Sequence, residues 1–188
     1  MEKIQLIEIT PQQLLKDFAA EVKDYLQQTK PNEYLTRKEV AAMLKRHTNL
    51  EFIQTPGSGS GKIKGDLHVE NKHNLFLIEV KHYKDMGFTH KIFTQKSNNL
   101  VTWWNKAILQ AQQMQQEPII LMKQNYSNWF VVTTRKPLVE KRYMYINWLG
   151  AYVMNAEKWL ENEKLEFTNG DKLLKPWEPD PEWELTNS

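Results

Sequence analysis

The sequence predicts an α/β domain, and three observations carry that expectation. Stretches with helical apolar spacing alternate with short strand-like runs, in the order helix, strand, strand, strand, helix, strand, strand. The run Leu75 to Val80 is apolar except for Glu79, as in a strand covered on both faces. The chain has 188 residues, 40% hydrophobic and 26% charged, which suits one well-buried domain spanning 1–188.

Taken in order, Thr10 and Pro11 read as an N-cap and first helical residue. Leu14, Leu15, Phe18, Val22 and Leu26 then recur at helical spacing, giving an N-terminal helix over 10–28. Thr36-Arg37-Lys38-Glu39 has the form of a capping box and opens a second helix through Val40, Met43 and Leu44. A short strand, Leu50 to Gln54, follows it. The Gly/Ser stretch Pro56 to Gly61 contains a Gly-Lys pair, but it lacks the earlier glycine, the following Ser or Thr and the helix of a nucleotide-binding P-loop. It reads either as a linker or as a loop whose amides and hydroxyls grip a phosphate.

Alternation in Lys64 to Val69 and the apolar run Leu75 to Val80 predict two strands joined by a turn over Glu70 to Asn74. His82 to Asn99 is polar and reads as a loop or lid. Helical spacing resumes near Leu100, with Trp103, Trp104, Ala107, Ile108, Ala111 and Met114 forming a stripe and glutamines on other faces. Strands are expected over Ile119 to Met122 and Trp129 to Thr133. The extension 137–188 includes a helical-looking stretch, Ala151 to Glu163, and an acidic, proline-containing end that reads as irregular, with Trp177 and Trp183 able to anchor it on a partner.

Composition removes several chemistries. There are no cysteines, so disulfides, thiolate metal sites and cysteine nucleophiles are excluded, and any metal must be held by oxygen or imidazole. None of the five histidines has the close spacing of a zinc site. No apolar run is long enough to span a bilayer and the start lacks a signal-peptide pattern, so a cytoplasmic location is expected. The net charge of +2 hides an asymmetry: residues 157–188 carry net −5, leaving +7 on 1–156. Eight lysines fall between Lys62 and Lys106, and Lys62, Lys64 and Lys84 are candidates to neutralise a polyanion such as DNA.

The most informative residues are Asp66, Glu79 and Lys81. If the turn centres on Lys72 and His73, Asp66 lies opposite Glu79, and Lys81 shares a face with Glu79. Two acids facing each other across a ladder repel unless a cation is shared between them, and a divalent metal would supply that charge. The competing reading is a solvated surface hairpin.

The pattern Gly65-Asp66 followed by Glu79-Val80-Lys81 resembles the PD-(D/E)XK nuclease superfamily. Within it, Thr36 to Lys81 is similar to archaeal-type Holliday junction resolvases and related phage endonucleases, and the likeness covers a core of 36–133. The resemblance implies a restriction-endonuclease-like core with a mixed central sheet flanked by helices. It also implies a metal-dependent DNA endonuclease that hydrolyses phosphodiester bonds, structure-specific on branched DNA. Asp66, Glu79 and the backbone carbonyl of Val80 would be ligands to Mg²⁺ or Mn²⁺, and Lys81 would orient the attacking water. Glu39 matches a helix Glu of the resolvase pattern and is either a catalytic residue or the reciprocal member of the capping box. Ser58 or Ser60 would contact the scissile strand, the resemblance leaving open which, and Gln110 and Gln113 either face the site or lie on a solvated face. A two-fold homodimer is implied, for which Tyr143, Tyr145, Trp148, Tyr152 and Trp159 are candidate interface residues. Host cytoplasm would be the location if the protein is phage-encoded.

Two rival readings are compatible with the same residues. One is a general or end-processing nuclease of restriction, repair or phage DNA metabolism. The other is a catalytically silent DNA-binding module.

Overall fold

The helix that opens the described fold is capped by Asn32, whose Oδ1 accepts the backbone N–H groups of Tyr34 and Leu35 at 3.0 and 3.2 Å. Helix α1 therefore spans Glu33–Thr48 and ends at Asn49, which adopts a left-handed conformation (φ 57°) and donates its N–H to the Lys45 carbonyl. This corrects the expected start: Thr36 is not the cap but a buried residue in the second turn, and its hydroxyl meets His82 Nδ1 at 3.1 Å. The computed structural model describes residues 32–56, 63–84, 99–138, 143–163 and 166–168. By internal packing the chain divides into Met1–Pro31 and Asn32–Ser188. The expected helix 10–28, Ser58, Ser60 and Lys62, and the tail with Trp177 and Trp183, lie outside the described residues.

After α1 come β1 (Phe52–Gln54), β2 (Leu67–Val69), β3 (Phe76–Tyr83), α2 (Asn99–Met114), β4 (Glu117–Gln124), β5 (Phe130–Thr133), β6 (Tyr143–Ile146), a 3-10 turn at Asn147–Leu149, β7 (Ala151–Asn155) and α3 (Ala156–Glu163). Among the described residues the strands form one seven-stranded mixed sheet in the order β1-β2-β3-β4-β5-β7-β6. Among the described strands only β3 and β4 run parallel, paired from Phe76 with Glu117 to Tyr83 with Gln124, and α2 lies in the crossover between them. The α/β class and mixed sheet expected from the sequence are what the chain forms.

Each sheet face carries its own core. On one face Ile78 and Val80 of β3 and Ile119 and Leu121 of β4 pack with Val40, Met43 and Leu44 of α1 and Trp159 and Leu160 of α3. Phe167 closes this side edge-on to Phe52, with Phe76 and Trp159 beside it. On the other face Leu77, Ile120 and Met122 pack with Trp104, Ala107, Ile108 and Ala111 of α2. Trp104 is fully buried there and donates its Nε1–H to the Leu149 carbonyl at 3.1 Å, so it is a core residue. Gln110, expected on a solvated or site-facing side, is buried beside this core, whereas Gln113 is exposed.

Several further expectations are corrected. β3 continues through His82 and Tyr83, because parallel pairing with Lys123 and Gln124 extends it beyond the apolar run. The stretch Ala151 to Glu163 is not one helix: Ala151–Asn155 is a strand held between β5 and β6, and only Ala156–Glu163 is helical. Asn155 marks the switch, since its side-chain oxygen accepts the Lys158 N–H at 3.0 Å. The extension thus adds two strands to the sheet as well as a helix. Trp159 is wholly buried and unable to supply an oligomer interface, while Tyr145 on the edge strand β6 is exposed.

Substitution of the fully buried Trp104 by Ala is expected to lower stability by about 3–5 kcal/mol, through lost burial and an unfilled cavity. Leu109→Ala, on the exposed side of the same helix, is expected to stay within about 0.5 kcal/mol. Urea unfolding of the two variants against the parent chain measures the difference.

Candidate acidic active site

Asp66 sits where the chain enters β2, and its position follows from the residue before it. Gly65 has φ +87°, and a Cβ there would meet the Ile78 carbonyl oxygen at 3.1 Å and Leu77 Cγ at 3.3 Å. Only a glycine fits both the backbone angle and the close approach to β3. The turn delivers Asp66 against β3: its N–H donates to the Ile78 carbonyl at 2.7 Å and its carbonyl accepts the Thr55 N–H at 3.0 Å. The last paired residues are Leu67 and Ile78, so one further step sets Asp66 against Glu79, as the hairpin pattern requires. At that step Asp66 Oδ2 accepts the Val80 N–H at 2.8 Å, which fixes the orientation of the carboxylate.

Glu79 and Lys81 project from the same face of β3 as Leu77. Both Asp66 and Glu79 are buried. Lys81 Nζ donates to Glu79 Oε2 at 2.7 Å and lies 4.0 Å from Asp66 Oδ2, so one ammonium reaches both acids. Burial works against the charge on Lys81, but Glu79 first and Asp66 after it outweigh that penalty, and its pKa is raised above the ordinary lysine value. Lys81 is therefore a cation throughout the neutral range. These geometries exclude the solvated-hairpin reading of the three residues.

A fourth charged group belongs to the cluster and was not among the residues singled out in the sequence. Arg37 of α1 places Nη2 2.8 Å from Asp66 Oδ1 and 3.6 Å from Glu33 one helical turn away. In the sequence Arg37 looked like an interior member of a capping box. Had the helix been started at Asn32, the Glu33/Arg37 spacing would have marked that helical face as charged.

Glu39 is placed elsewhere. Its Oε1 accepts from Lys123 Nζ and from Trp129 Nε1, both at 2.9 Å. Lys123 alternates with Ile119 and Leu121, so it belongs to the face opposite Glu79 and Lys81. Burial tends to raise the Glu39 pKa, but the bonds from Trp129 and Lys123 prevail and lower it. With Asn32 as the cap, the capping-box role for Glu39 is also removed. Among the described residues no third His, Asp or Glu side chain joins Asp66 and Glu79 in a metal-holding group.

Lys64 is half-buried and Lys84 exposed, flanking the acidic cluster in the chain. The Val80 side chain is core, and its N–H is the group that holds Asp66. His68 pairs through Nδ1 with the Thr55 hydroxyl at 2.9 Å, and burial lowers its pKa. Trp103 stacks on Tyr83 with ring centroids 4.9 Å apart.

Gly65→Ala is expected to cost on the order of 1–3 kcal/mol, because it strains a positive φ and presses a methyl group on the β3 backbone. Thermal unfolding compared with the parent measures the cost, and the Asp66-dependent property of the site should fall with it.

Comparison with known proteins gives three results. No curated protein matches the sequence. A structural match is found to Archaeoglobus fulgidus Hjc, a Holliday junction resolvase from an archaeal hyperthermophile, at 12% sequence identity and a TM-score of 0.37, covering 65% of this chain and 86% of that one. The family model described as "Phage putative PDDEXK endonuclease" matches residues 37–178, which include Asp66, Glu79 and Lys81. The match spans well over half of the chain, and the protein belongs to this PDDEXK endonuclease family.

Proposed function

We propose that the protein is a divalent-metal-dependent DNA endonuclease acting on branched DNA. The observation that carries the chemistry is the convergence of two buried carboxylates, one from the turn into β2 and one from β3, on one ammonium. A cluster of this kind has a large electrostatic cost and little value as a plain structural element. It does have value if the acids are to hold a cation and the lysine is to sit beside the reacting water.

The donor set fits a hard divalent cation, because the two carboxylates supply oxygen and lie close enough to share a single positive charge. Asp66, Glu79 and the Val80 carbonyl are the groups that would hold Mg²⁺ or Mn²⁺. When bound, the metal would polarise a phosphoryl oxygen and make an adjacent water more acidic. The protein's own residues do the rest. The Val80 N–H keeps Asp66 from rotating, and Lys81, cationic and anchored on Glu79, orients the water oxygen toward phosphorus. As that oxygen bonds to phosphorus, the ester P–O bond breaks, and the water's proton is balanced by protonation of the leaving oxygen. Lys64 and Lys84 offer positive charge to the neighbouring backbone.

Branched DNA is the substrate suggested by the resemblance of the Thr36 to Lys81 motif, and two symmetric cuts there would require two copies of the chain. The exposed edge strand β6, with Tyr145, is a surface where such copies can meet. Linear duplex is the natural alternative, since the family is described only as an endonuclease.

Labelled four-way junction, flap and linear duplex, incubated with Mg²⁺ or with EDTA, separate these readings. The expected result is metal-dependent, symmetric nicking of the junction, lost by at least about 10²-fold in Asp66→Ala with DNA binding largely retained. Equal cutting of all three substrates makes the protein a general nuclease. Binding without cleavage by the parent chain makes it a silent module, and full activity in Asp66→Ala removes the proposed site.

A further inference from the structure

The cluster around Asp66 is electrically complete as it stands. Asp66 and Glu79 carry two negative charges, and Arg37 and Lys81 carry two positive ones within direct reach. Each Asp66 oxygen is already engaged, Oδ1 by Arg37 and Oδ2 by the Val80 N–H. A divalent cation added among these four groups would bring them to +2 in a poorly solvated site, offset only by the exposed Glu33 carboxylate 3.6 Å from Arg37, and electrostatics opposes this. Movement of one of the two resident cations away from Asp66 would relieve that excess.

The geometry distinguishes them. Lys81 is rooted on the central strand, is 18% exposed and is held between both acids. Arg37 is on the first turns of a helix, is 25% exposed and has a second carboxylate to retreat to: Glu33, 77% exposed and 3.6 Å away. Its planar fork also matches the oxygens of a phosphodiester better than a lysine does. Building on the nuclease reading above, we infer that Arg37 is a displaceable counter-ion of Asp66, which yields Oδ1 to a divalent cation and passes its guanidinium to a phosphate of the DNA backbone. Metal loading and DNA grip are thereby coupled through one side chain, and by linkage each favours the other.

Removing the Arg37 guanidinium should then strengthen metal binding at Asp66. Calorimetric titration of Mn²⁺ into the full chain without DNA is expected to give about tenfold tighter binding for Arg37→Gln than for the parent, with Arg37→Lys between them. Thermal unfolding supplies a second readout: Arg37→Gln should be less stable than the parent without metal and gain more from Mn²⁺. At saturating Mn²⁺ the same variant should cut DNA more slowly, since the phosphate contact is gone. Unchanged or weaker Mn²⁺ affinity in Arg37→Gln overturns the counter-ion role, and undiminished cleavage overturns the phosphate role. No Mn²⁺ uptake by parent or variant overturns both this inference and the metal site beneath it. Mn²⁺ uptake with no DNA cut by the parent removes the nuclease reading alone, and the affinity comparison still decides the counter-ion role.

Discussion

Burying two carboxylates side by side is the constraint on which the rest of this structure turns. Each would lose several kcal/mol of solvation if left alone in the interior, and together they would repel. The chain answers with a lysine two residues from Glu79 on the same strand face, an arginine from α1, and a backbone amide aimed at Asp66. Each device requires a separate element to be in register. β3 must carry Glu79 and Lys81 inward, the Gly65 turn must deliver Asp66 one step beyond the β2 ladder, and α1 must start early enough for Arg37 to reach across.

The sheet provides that register. β3 is covered on both faces, by α1 and α3 on one side and α2 on the other, which explains its near-continuous apolar character. A one-residue slip in β3 would drive Glu79 and Lys81 into the packing of Ile78 and Val80. Parallel pairing with β4 over eight residues opposes such a slip, and the Pro118-containing start of β4 is tied to β3 by the Glu117 N–H to the Leu75 carbonyl. The strands β5, β7 and β6 widen the platform beyond β4, on the side of β3 away from β2, so the two strands that the described part of the extension contributes enlarge the frame.

The face opposite the acids has polar organisation of its own. Thr36, Glu39, His82, Lys123 and Trp129 form a connected patch where α1 meets β3 and β4. Burial and the nearby Lys123 lower the His82 pKa, so this imidazole is neutral near pH 7 and suited to its bond with the Thr36 hydroxyl. Among the described residues no group of three or more His, Asp or Glu side chains could hold a metal ion, and no helix is long and apolar enough to cross a membrane. Within this patch Lys123 and Trp129 both donate to Glu39, which holds it on this face rather than toward Asp66.

The sequence by itself determined the strand pair that carries Asp66, Glu79 and Lys81, because alternation, a turn of fixed length and a charge in an apolar run are all local signals. It also determined α2, through the Trp104 to Ala111 stripe, and the α/β class through the order of its periodicities. Only the tertiary structure decided the rest. Thr36 looked like a cap because hydroxyl-to-Glu spacing is a local pattern, yet Asn32 captured the helix start and left Thr36 to meet His82 across the packing. Ala151 to Asn155 read as helix until β5 and β6 flanked it, since a five-residue strand leading straight into a helix has no breaker to separate the two periods. Arg37 joined the acids, and Glu39 left them, through contacts with residues 29 and 84 positions away in the chain. No local pattern encodes a partner that distant; only the packing of α1 against the sheet could assign it.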